Sequence, residues 1–296
     1  MENAAPSNTK FDVYRTVTHK IIEAIEAGAG EFVLPWHRAG PNLGRPTNAA
    51  SRAPYQGVNV VTLWAEAMLR GYGSGWWATY EQWKTLGAQV RKGERGTTIV
   101  FYKRLGEPDG EEAEGWRLVA RAFRVFNAEQ TVGWSPPAPA RSSPAEVIEQ
   151  ANAFVASTKA IVRYGGDVAC FRPADDVIAM PERDRFVGSR TSTPTEAFYA
   201  TLFHELVHWS GAKHRLDRQF GKRFGDRAYV AEELVAELGA AFLCADHAIS
   251  NEPRADHAAY LSQWLALMAD DKRAIFTAAQ QARQAVTYLD SLVLAD

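Results

Sequence analysis

Hydrophobic residues recur every three or four positions over long stretches of this 296-residue chain. Near the start, Val13, Val17, Ile21 and Ile25 would lie along one side of a helix, and a glycine follows as a helix-ending signal. This pattern predicts an amphipathic helix over residues 11–27. The same kind of spacing predicts further helices at residues 59–69, 79–86, 144–158, 194–210, 228–249, 254–268 and 272–294.

Two stretches of the first half, residues 97–102 and 116–126, are rich in β-branched and aromatic residues, and the second alternates polar with apolar positions. This composition and period predict a pair of strands. The acidic stretch between them, residues 107–115, contains the sequence Pro-Asp-Gly and is predicted to form a solvent-exposed hairpin tip. Three shorter strands are predicted in the second half, at residues 161–164, 168–171 and 177–180.

A proline-rich stretch separates the two halves of the chain. Residues 135–142 read Ser-Pro-Pro-Ala-Pro-Ala-Arg-Ser, which favours a stiff, extended spacer. The chain is also longer than one typical domain, so each half is predicted to bury a core of its own. We therefore predict an α+β fold, with an α+β domain at residues 1–134, a linker at residues 135–143 and a mostly helical domain with a small sheet at residues 144–296.

The overall composition is that of an ordinary globular protein, with 46% hydrophobic and 23% charged residues. A formal net charge of -2 argues against a strongly acidic protein that mimics DNA. It excludes neither nucleic acid nor protein partners, because local charged patches decide binding more than the total charge does. The two cysteines, Cys170 and Cys244, are far apart in sequence, which argues against a disulfide framework and fits a reducing cytoplasm. We find no export signal and no apolar run of membrane-spanning length, so we expect a cytoplasmic protein without a membrane partner.

A histidine pair with the spacing of metal ligands lies in the helix predicted at residues 194–210. Thr193 and Glu196 form a capping box at the start of this helix, which should then continue through His204 and His208. At a spacing of four residues, the two imidazoles project from the same face and can share one cation. Two ordinary surface histidines would have the same spacing, but the apolar neighbours of this pair indicate burial, and buried imidazoles need partners.

Glu205 directly follows the first histidine, so the sequence has the form His-Glu-X-X-His. Its side chain borders the face of the two imidazoles without occupying a ligand position. A carboxylate placed there suits a general base that removes a proton from a water activated by a metal. Catalytic zinc takes three protein ligands and keeps a fourth position open, so the pattern predicts a zinc hydrolase site whose third ligand comes from elsewhere. Manganese and cobalt are the alternative ions.

The third ligand is expected in the apolar helix predicted at residues 228–249. Carboxylates on so apolar a helix are costly unless they bind a cation or strong donors. Glu233 is the first choice as ligand, and Glu237, on the same face, would orient a metal-bound histidine. Glu232 points about 100° away and is the next choice. The sequence also leaves open Asp217, Asp226, Glu237, His214, His247 and His257.

Most tryptophans of the chain precede the linker, and they are interleaved with arginines and lysines. Aromatic faces beside cations suit single-stranded nucleic acid, whose unpaired bases stack while its phosphates are neutralised. The competing interpretation is that the tryptophans fill a core and that the arginines lie on the solvent face of a strand. If this half binds nucleic acid, the candidate contacts are Trp36, Tyr55, Trp76, Trp77, Arg91, Lys92, Arg95, Lys103 and Arg104.

Seven stretches spread over nearly the whole chain share the sequence pattern of one known family. They are residues 21–28, 34–36, 55–59, 90–96, 203–210, 232–243 and 256–261. In these stretches the chain resembles the ArdC-type antirestriction proteins of conjugative plasmids, which are related to the N-terminal part of TraC-type plasmid primases. The resemblance implies an N-terminal domain that binds single-stranded DNA and a C-terminal zincin-like metallopeptidase domain.

The resemblance implies an antirestriction protein that binds single-stranded DNA and protects incoming conjugative plasmid DNA from host restriction. With the histidine motif, it predicts a zinc-dependent metallopeptidase in which Glu205 is the general base and a host restriction enzyme or another protein is the substrate. The alternative is a single-strand-binding plasmid accessory protein whose metal domain is structural or docks a partner without proteolysis. A nuclease is less well supported, because phosphoryl transfer favours carboxylate-rich magnesium sites.

Overall fold

The computed structural model describes residues 11–29, 33–37, 44–105, 117–138, 143–189, 192–221, 226–251 and 257–293. The helices within these ranges are α1 (Val13–Gly28), α2 (Val58–Arg70), α3 (Tyr80–Thr85), α4 (Pro144–Ser157), α5 (Pro194–Ser210), α6 (Arg227–Asp246), α7 (His257–Asp270) and α8 (Ala274–Val293). The strands are β1 (Thr47–Asn48), β2 (Trp76–Ala78), β3 (Gln89–Val90), β4 (Thr97–Leu105), β5 (Arg117–Asn127), β6 (Thr131–Val132), β7 (Ile161–Tyr164), β8 (Cys170–Arg172) and β9 (Val177–Met180).

The α+β class is confirmed, and every helix predicted from hydrophobic spacing is present within a few residues of its expected bounds. All five predicted strands are also found, as β4, β5, β7, β8 and β9. The sequence missed β1, β2, β3 and β6, because a strand of two or three residues is too short to show a period of two. The predicted hairpin tip at residues 107–115 and part of the predicted linker, residues 139–142, lie outside the described residues.

The first half is built around a long antiparallel hairpin of β4 and β5, in which Thr97 faces Val125 and Leu105 faces Arg117. Strand β5 also pairs with β2, which pairs with β1, so the sheet has the order β1-β2-β5-β4. Asn59 fixes α2 to this sheet: its side chain accepts a hydrogen bond from the Val100 amide and donates one to the Val100 carbonyl, both at 2.8 Å.

The second half combines a small sheet, in the order β7-β9-β8, with the packed helices α5, α6 and α8. Gly239 on α6 allows α5 to come close, because a Cβ at this position would lie only 2.7 Å from Val207 Cγ2. A close helix crossing brings side chains of the two helices within reach of one another. The histidine motif on α5, which includes Val207, and the acidic residues of α6 therefore share one interface.

The main hydrophobic core is shared by the two halves, although each half was expected to bury a core of its own, and the first half has only a small separate cluster around Trp83. Trp64 of α2 lies 5.9 Å from Phe242 of α6, measured between ring centroids, and Tyr14 of α1 lies 4.8 Å from Phe276 of α8. The physical reason is that the apolar faces of α1 and α2 are only partly covered by the hairpin and bury their remaining surface against α6 and α8. The division of the chain at residues 135–143 stays a prediction.

Neither cysteine takes part in a disulfide: Cys170 is partly buried and Cys244 is buried. Burial raises the pKa of the Cys244 thiol well above its ordinary value. Among the described helices, none is both long enough and apolar enough to cross a bilayer.

Candidate metal centre

Helix α5 places the two histidines of the motif on one face. The helix begins with the predicted capping box, in which Thr193 Oγ1 accepts a hydrogen bond from the Glu196 amide and Glu196 Oε2 accepts one from the Thr193 amide. One turn apart near its end, His204 and His208 bring their Nε2 atoms to 3.1 Å from each other. Two nitrogens at this distance can bind the same ion.

Glu233 of α6 completes a triangle with these two nitrogens. Its Oε2 lies 3.6 Å from His204 Nε2, and its Oε1 lies 3.5 Å from His208 Nε2. A tetrahedral site with ligand distances of about 2.1 Å has edges of about 3.4 Å. The separations of the three side chains therefore suit one metal ion. Within the described residues, the ligand atoms of His204, His208 and Glu233 all lie within 4.8 Å of one another.

Glu232 lies on the other side of His208 and not inside the triangle. Its Oε1 lies 3.1 Å from His208 Nδ1, and Arg218 donates to the same carboxylate at 2.8 Å. Arg218 is itself held by Ser210 Oγ at 3.0 Å. Glu232, the second choice from the sequence, therefore contacts the nitrogen of His208 that points away from the triangle.

Glu237 occupies the corresponding position behind His204. Its Oε2 lies 3.7 Å from His204 Nδ1, and its Oε1 accepts hydrogen bonds from Trp36 Nε1 at 3.0 Å and from His37 Nε2 at 3.2 Å. Carboxylates behind metal-binding histidines fix the ring orientation and the tautomer. No pattern in the sequence indicated that Trp36 and His37 contact this carboxylate.

Glu205 lies beside the triangle and is held by the small sheet. Its Oε2 accepts a hydrogen bond of 2.8 Å from the backbone N–H of Phe171 in β8. The side chain is buried and lies outside the group of three potential ligands. This hydrogen bond fixes the carboxylate next to the histidines, where a base could act.

Tyr229 is a further polar residue of the centre that sequence reasoning missed. It precedes Glu233 by one turn of α6, and its hydroxyl lies 3.1 Å from that of Tyr260. Burial raises the pKa of the Tyr229 phenol, and the nearby Tyr260 and Glu233 raise it further. The sequence signal that could have identified Tyr229 is its spacing of four residues from Glu233, which places both side chains on the same face of α6.

The charges of the centre are strongly coupled. Burial disfavours the protonated form of His208, but its hydrogen bonds to Glu232 and Glu233 outweigh burial and raise its pKa to about 10. Burial would raise the pKa of Glu233, yet hydrogen bonds with His204 and His208 lower it well below the ordinary value. The imidazole of His208 and the carboxylates of Glu232 and Glu233 therefore favour one another's charged forms.

The other donors left open by the sequence lie elsewhere. Asp226 caps α6 by accepting a hydrogen bond from the Tyr229 amide at 2.7 Å, and His247 packs against Phe154 in a tilted arrangement with ring centroids 4.5 Å apart. His214 pairs with an aspartate on the surface, at 3.3 Å. Asp217 does not belong to the cluster of potential ligands formed by His204, His208 and Glu233. The side chain of His257 lies outside the described part of the chain.

Three of the predicted nucleic-acid contacts are core residues. Trp36, Tyr55 and Trp77 are only 0%, 6% and 1% exposed, so their rings have no free face on which a base could stack in this structure. The prediction for these three aromatic residues is corrected accordingly: they belong to the main hydrophobic core. Trp76 is half-buried and lies under the guanidinium of Arg52, 5.6 Å from its ring centroid.

The predicted basic contacts are more accessible. Lys92 and Arg95 are exposed in the turn before β4, and Arg91 is exposed but bound to Glu94 at 2.8 Å. Lys103 and Arg104 lie in β4, and their side chains are outside the described part of the structure.

An exposed aromatic pair lies on the β4–β5 hairpin, where the sequence analysis had not placed one. Phe101 and Phe123 are 50% and 43% exposed, and their rings meet edge to face at 5.3 Å. Arg121 is directly opposite Phe101 in the strand register and is also exposed. Paired residues of an antiparallel ladder point to the same face, so the three side chains form one surface, here called the hairpin patch.

Known proteins are similar to this chain in both halves. Residues 11–126 match the family described as the N-terminal domain of anti-restriction factor ArdC, and residues 149–281 match the family described as zincin-like metallopeptidase. Over 290 residues the chain is 46% identical to the protein y4eC of Sinorhizobium fredii, covering 95% of this chain and 92% of that protein. It is 33% identical to DNA primase TraC of Escherichia coli over 97% of this chain, but it spans only 20% of the primase.

Two solved structures have the same fold over nearly the whole chain. The metal-free crystal structure of the antirestriction protein ArdC from plasmid R388 matches with a TM-score of 0.77 and 35% identity, covering 96% of this chain and 99% of that one. The Mn(II)-bound structure of the same protein matches with a TM-score of 0.73 and 36% identity, covering 96% and 98%. With its two matching family regions and this agreement from end to end, the chain belongs to the ArdC family of antirestriction proteins and has a zincin-like metallopeptidase domain.

Proposed function

We propose that this chain is a divalent-metal-dependent peptidase that also binds single-stranded DNA, and that it protects incoming plasmid DNA from host restriction in the cytoplasm. The observation that carries the peptidase proposal is the triangle of His204 Nε2, His208 Nε2 and the Glu233 carboxylate, with Glu205 fixed beside it. Two imidazoles and one carboxylate are the ligand set of many zinc peptidases. A host restriction enzyme or another protein of the recipient cell would be the substrate.

His204, His208 and Glu233 would hold the ion. The two imidazoles and the carboxylate suit zinc. Manganese is an alternative because a similar protein has a Mn(II)-bound structure, and cobalt is a further alternative. When bound, a divalent ion supplies a Lewis acid that polarises a peptide carbonyl and lowers the pKa of a water at the site.

The residues of the chain would perform the proton transfers. Glu205, held by the Phe171 amide, accepts a proton from the attacking water and returns it to the amine that leaves. Tyr229 keeps its proton at physiological pH, because its pKa is raised, and can donate a hydrogen bond to a negatively charged oxygen. Glu232 and Glu237, behind the two histidines, keep the Nε2 atoms directed at the ion.

Metal removal tests this assignment. The purified chain should cleave an unfolded protein substrate, lose that activity on treatment with a chelator, and recover it when Zn²⁺ or Mn²⁺ is returned, because the ligands are protein side chains that remain in place. The products should be followed by mass spectrometry. Cleavage that continues at the same rate in the chelated protein would contradict the proposal.

Metal affinity should rise steeply with pH. The hydrogen bonds to Glu232 and Glu233 raise the pKa of His208 to about 10, so a cation that takes its Nε2 lone pair must displace a proton at neutral pH. The competing proton is fully bound below the ordinary histidine pKa and is lost as the pH rises towards 10. We expect release of about one proton per ion and an affinity gain of about tenfold per pH unit. Calorimetry in buffers of different ionisation enthalpy measures both, and binding without proton release would contradict the expectation.

The hairpin patch is the feature that supports binding of single-stranded DNA. Phe101 and Phe123 offer exposed rings on which unpaired bases can stack, and Arg121 lies beside them to neutralise a phosphate. Lys92 and Arg95, exposed in the turn that leads into β4, extend the positive charge. We propose this patch as the binding surface in place of the buried aromatic residues.

The second candidate function is DNA binding alone, with a metal site that is structural or docks a partner. The hairpin patch favours it, since that surface needs no metal. The two candidates differ in whether protection requires Glu205, which is neither a proposed ligand nor part of the patch.

A further inference from the structure

A short segment of the N-terminal half lies against the metal centre of the C-terminal half. Trp36 and His37 follow α1 in the chain, and both donate hydrogen bonds to Glu237 Oε1 on α6, at 3.0 Å and 3.2 Å. The indole of Trp36 is completely buried, and the side chains of His37 and Glu237 are 2% and 3% exposed. The carboxylate is therefore shielded from solvent and receives donors from residues some 200 positions earlier in the chain.

The tautomer of His37 follows from its two contacts. Its Nδ1 accepts a hydrogen bond of 3.0 Å from the backbone N–H of Leu34. An imidazole nitrogen that accepts carries no proton, so in the neutral ring the proton is on Nε2, which faces Glu237. The hydrogen bond from Leu34 thereby makes His37 a donor to the carboxylate. Trp36 is also a donor there, because an indole N–H can only donate.

Trp36 is held in place from two further sides. Its ring packs on Trp264 of α7 with centroids 6.2 Å apart, and its backbone carbonyl accepts a hydrogen bond from the Asn251 side chain at 3.2 Å. The indole N–H therefore has a fixed direction. Because one oxygen of Glu237 is held by the two donors, the other oxygen is fixed 3.7 Å from His204 Nδ1.

We propose that Trp36 and His37 are positioning residues of the metal centre: they hold Glu237 Oε1 so that Oε2 of the same carboxylate, 3.7 Å from His204 Nδ1, orients His204 towards the ion. The inference rests on the proposed ligation by His204, His208 and Glu233, and it adds that the N-terminal half completes the metal site. The two donors also satisfy an oxygen of a buried carboxylate, which would otherwise be costly to desolvate. The zincin-like half is then not a self-sufficient metal-binding unit.

The test compares metal affinity in the full chain and two tryptophan variants. Trp36→Phe keeps an aromatic ring but removes the N–H that reaches Glu237. Trp83→Phe is the matched control, because Trp83 is equally buried in the N-terminal half and donates its indole N–H to the Phe126 carbonyl, away from the centre. Loss of a partner behind a metal ligand typically weakens metal binding by about 10–100-fold. We expect such a loss of Zn²⁺ and Mn²⁺ affinity in Trp36→Phe and a change of less than about threefold in Trp83→Phe.

A second pair of variants separates positioning from packing. His37→Leu removes the donor, whereas His37→Gln places an amide N–H near the position of Nε2. Metal affinity should fall by about tenfold or more in His37→Leu and return to within about threefold of the parent in His37→Gln. Thermal unfolding of the four metal-free variants reports any general loss of stability.

The outcomes are distinct. A parent chain that binds neither ion overturns the proposed metal site and this inference together. If the parent binds the ions and Trp36→Phe and His37→Leu bind them as tightly as the parent does, only the positioning role of Trp36 and His37 is overturned. Equal losses in Trp36→Phe and Trp83→Phe, tracking the unfolding temperature, would assign the effect to a general loss of stability and also overturn it. Selective loss with rescue by His37→Gln supports it.

Discussion

Glu205→Gln should lose peptide hydrolysis by about 10²–10⁴-fold, while it still binds metal and single-stranded DNA as the parent does. The substitution preserves the size of the side chain and removes only the basic carboxylate. None of the three proposed ligands is changed, and the site is distant in sequence from the hairpin patch. The measurements are cleavage of an unfolded protein substrate, metal content of the purified chain, and DNA affinity by fluorescence anisotropy.

Glu149→Gln is the matched control for this variant, because it makes the same chemical change at an exposed position of α4 in the same half. It should keep full activity. A Glu205→Gln protein that cleaves at the parental rate would exclude Glu205 as the base. A variant that has also lost its metal would show that Glu205 supports the site structurally.

The same variant separates the two candidate functions in cells. If proteolysis protects the incoming plasmid, protection against a host restriction enzyme should fall with peptide hydrolysis. Protection that survives in Glu205→Gln but is lost when DNA binding is removed would favour the DNA-binding protein without a required peptidase. In that case the metal centre would have a structural or docking role.

Phe101→Ala combined with Phe123→Ala should weaken the binding of single-stranded DNA severely. Stacking of one base on an aromatic ring contributes about 1–3 kcal/mol, so loss of two rings should reduce affinity by at least about 30-fold. Stability should change little, because both rings are substantially exposed. Affinity for a single-stranded oligonucleotide is measured at several salt concentrations, with duplex of the same sequence for comparison.

Tyr164→Ala is the control for the patch, since Tyr164 is 47% exposed on β7 in the other half. It should bind DNA as the parent does, and the double variant should keep its metal. Arg121→Ala should lower affinity for all sequences and reduce the salt dependence, as expected for a phosphate contact. Unchanged binding by the phenylalanine double variant would exclude the hairpin patch as the stacking surface.

Local sequence signals were sufficient for the helix that carries the motif. The capping box of Thr193 and Glu196 fixes where α5 begins, and a spacing of four residues fixes that His204 and His208 share a face. These are properties of neighbouring residues in one helix, so they require no knowledge of the rest of the fold. The β4–β5 pair was likewise predictable, from alternation along two adjacent strands.

The role of Trp36 could not be predicted in the same way. A tryptophan near basic residues has the same composition signal whether it stacks on a base or fills a core. Its burial depends on α6 and α7, which come about 200 residues later and place Glu237 and Trp264 around it. The shared core of the two halves escaped prediction for the same reason, since hydrophobic spacing shows that α1 and α2 bury a face but not against which partner.

The sequence by itself determined that a histidine pair and a neighbouring carboxylate lie on one helix and that an acidic, apolar helix follows. Only the tertiary structure decided which carboxylate meets the pair. Glu232 and Glu233 are adjacent and point about 100° apart, so the choice depends on the rotation of α6 against α5. The close approach at Gly239 and Val207 sets that rotation, which directs Glu233 to the two Nε2 atoms and leaves Glu232 at the far nitrogen of His208.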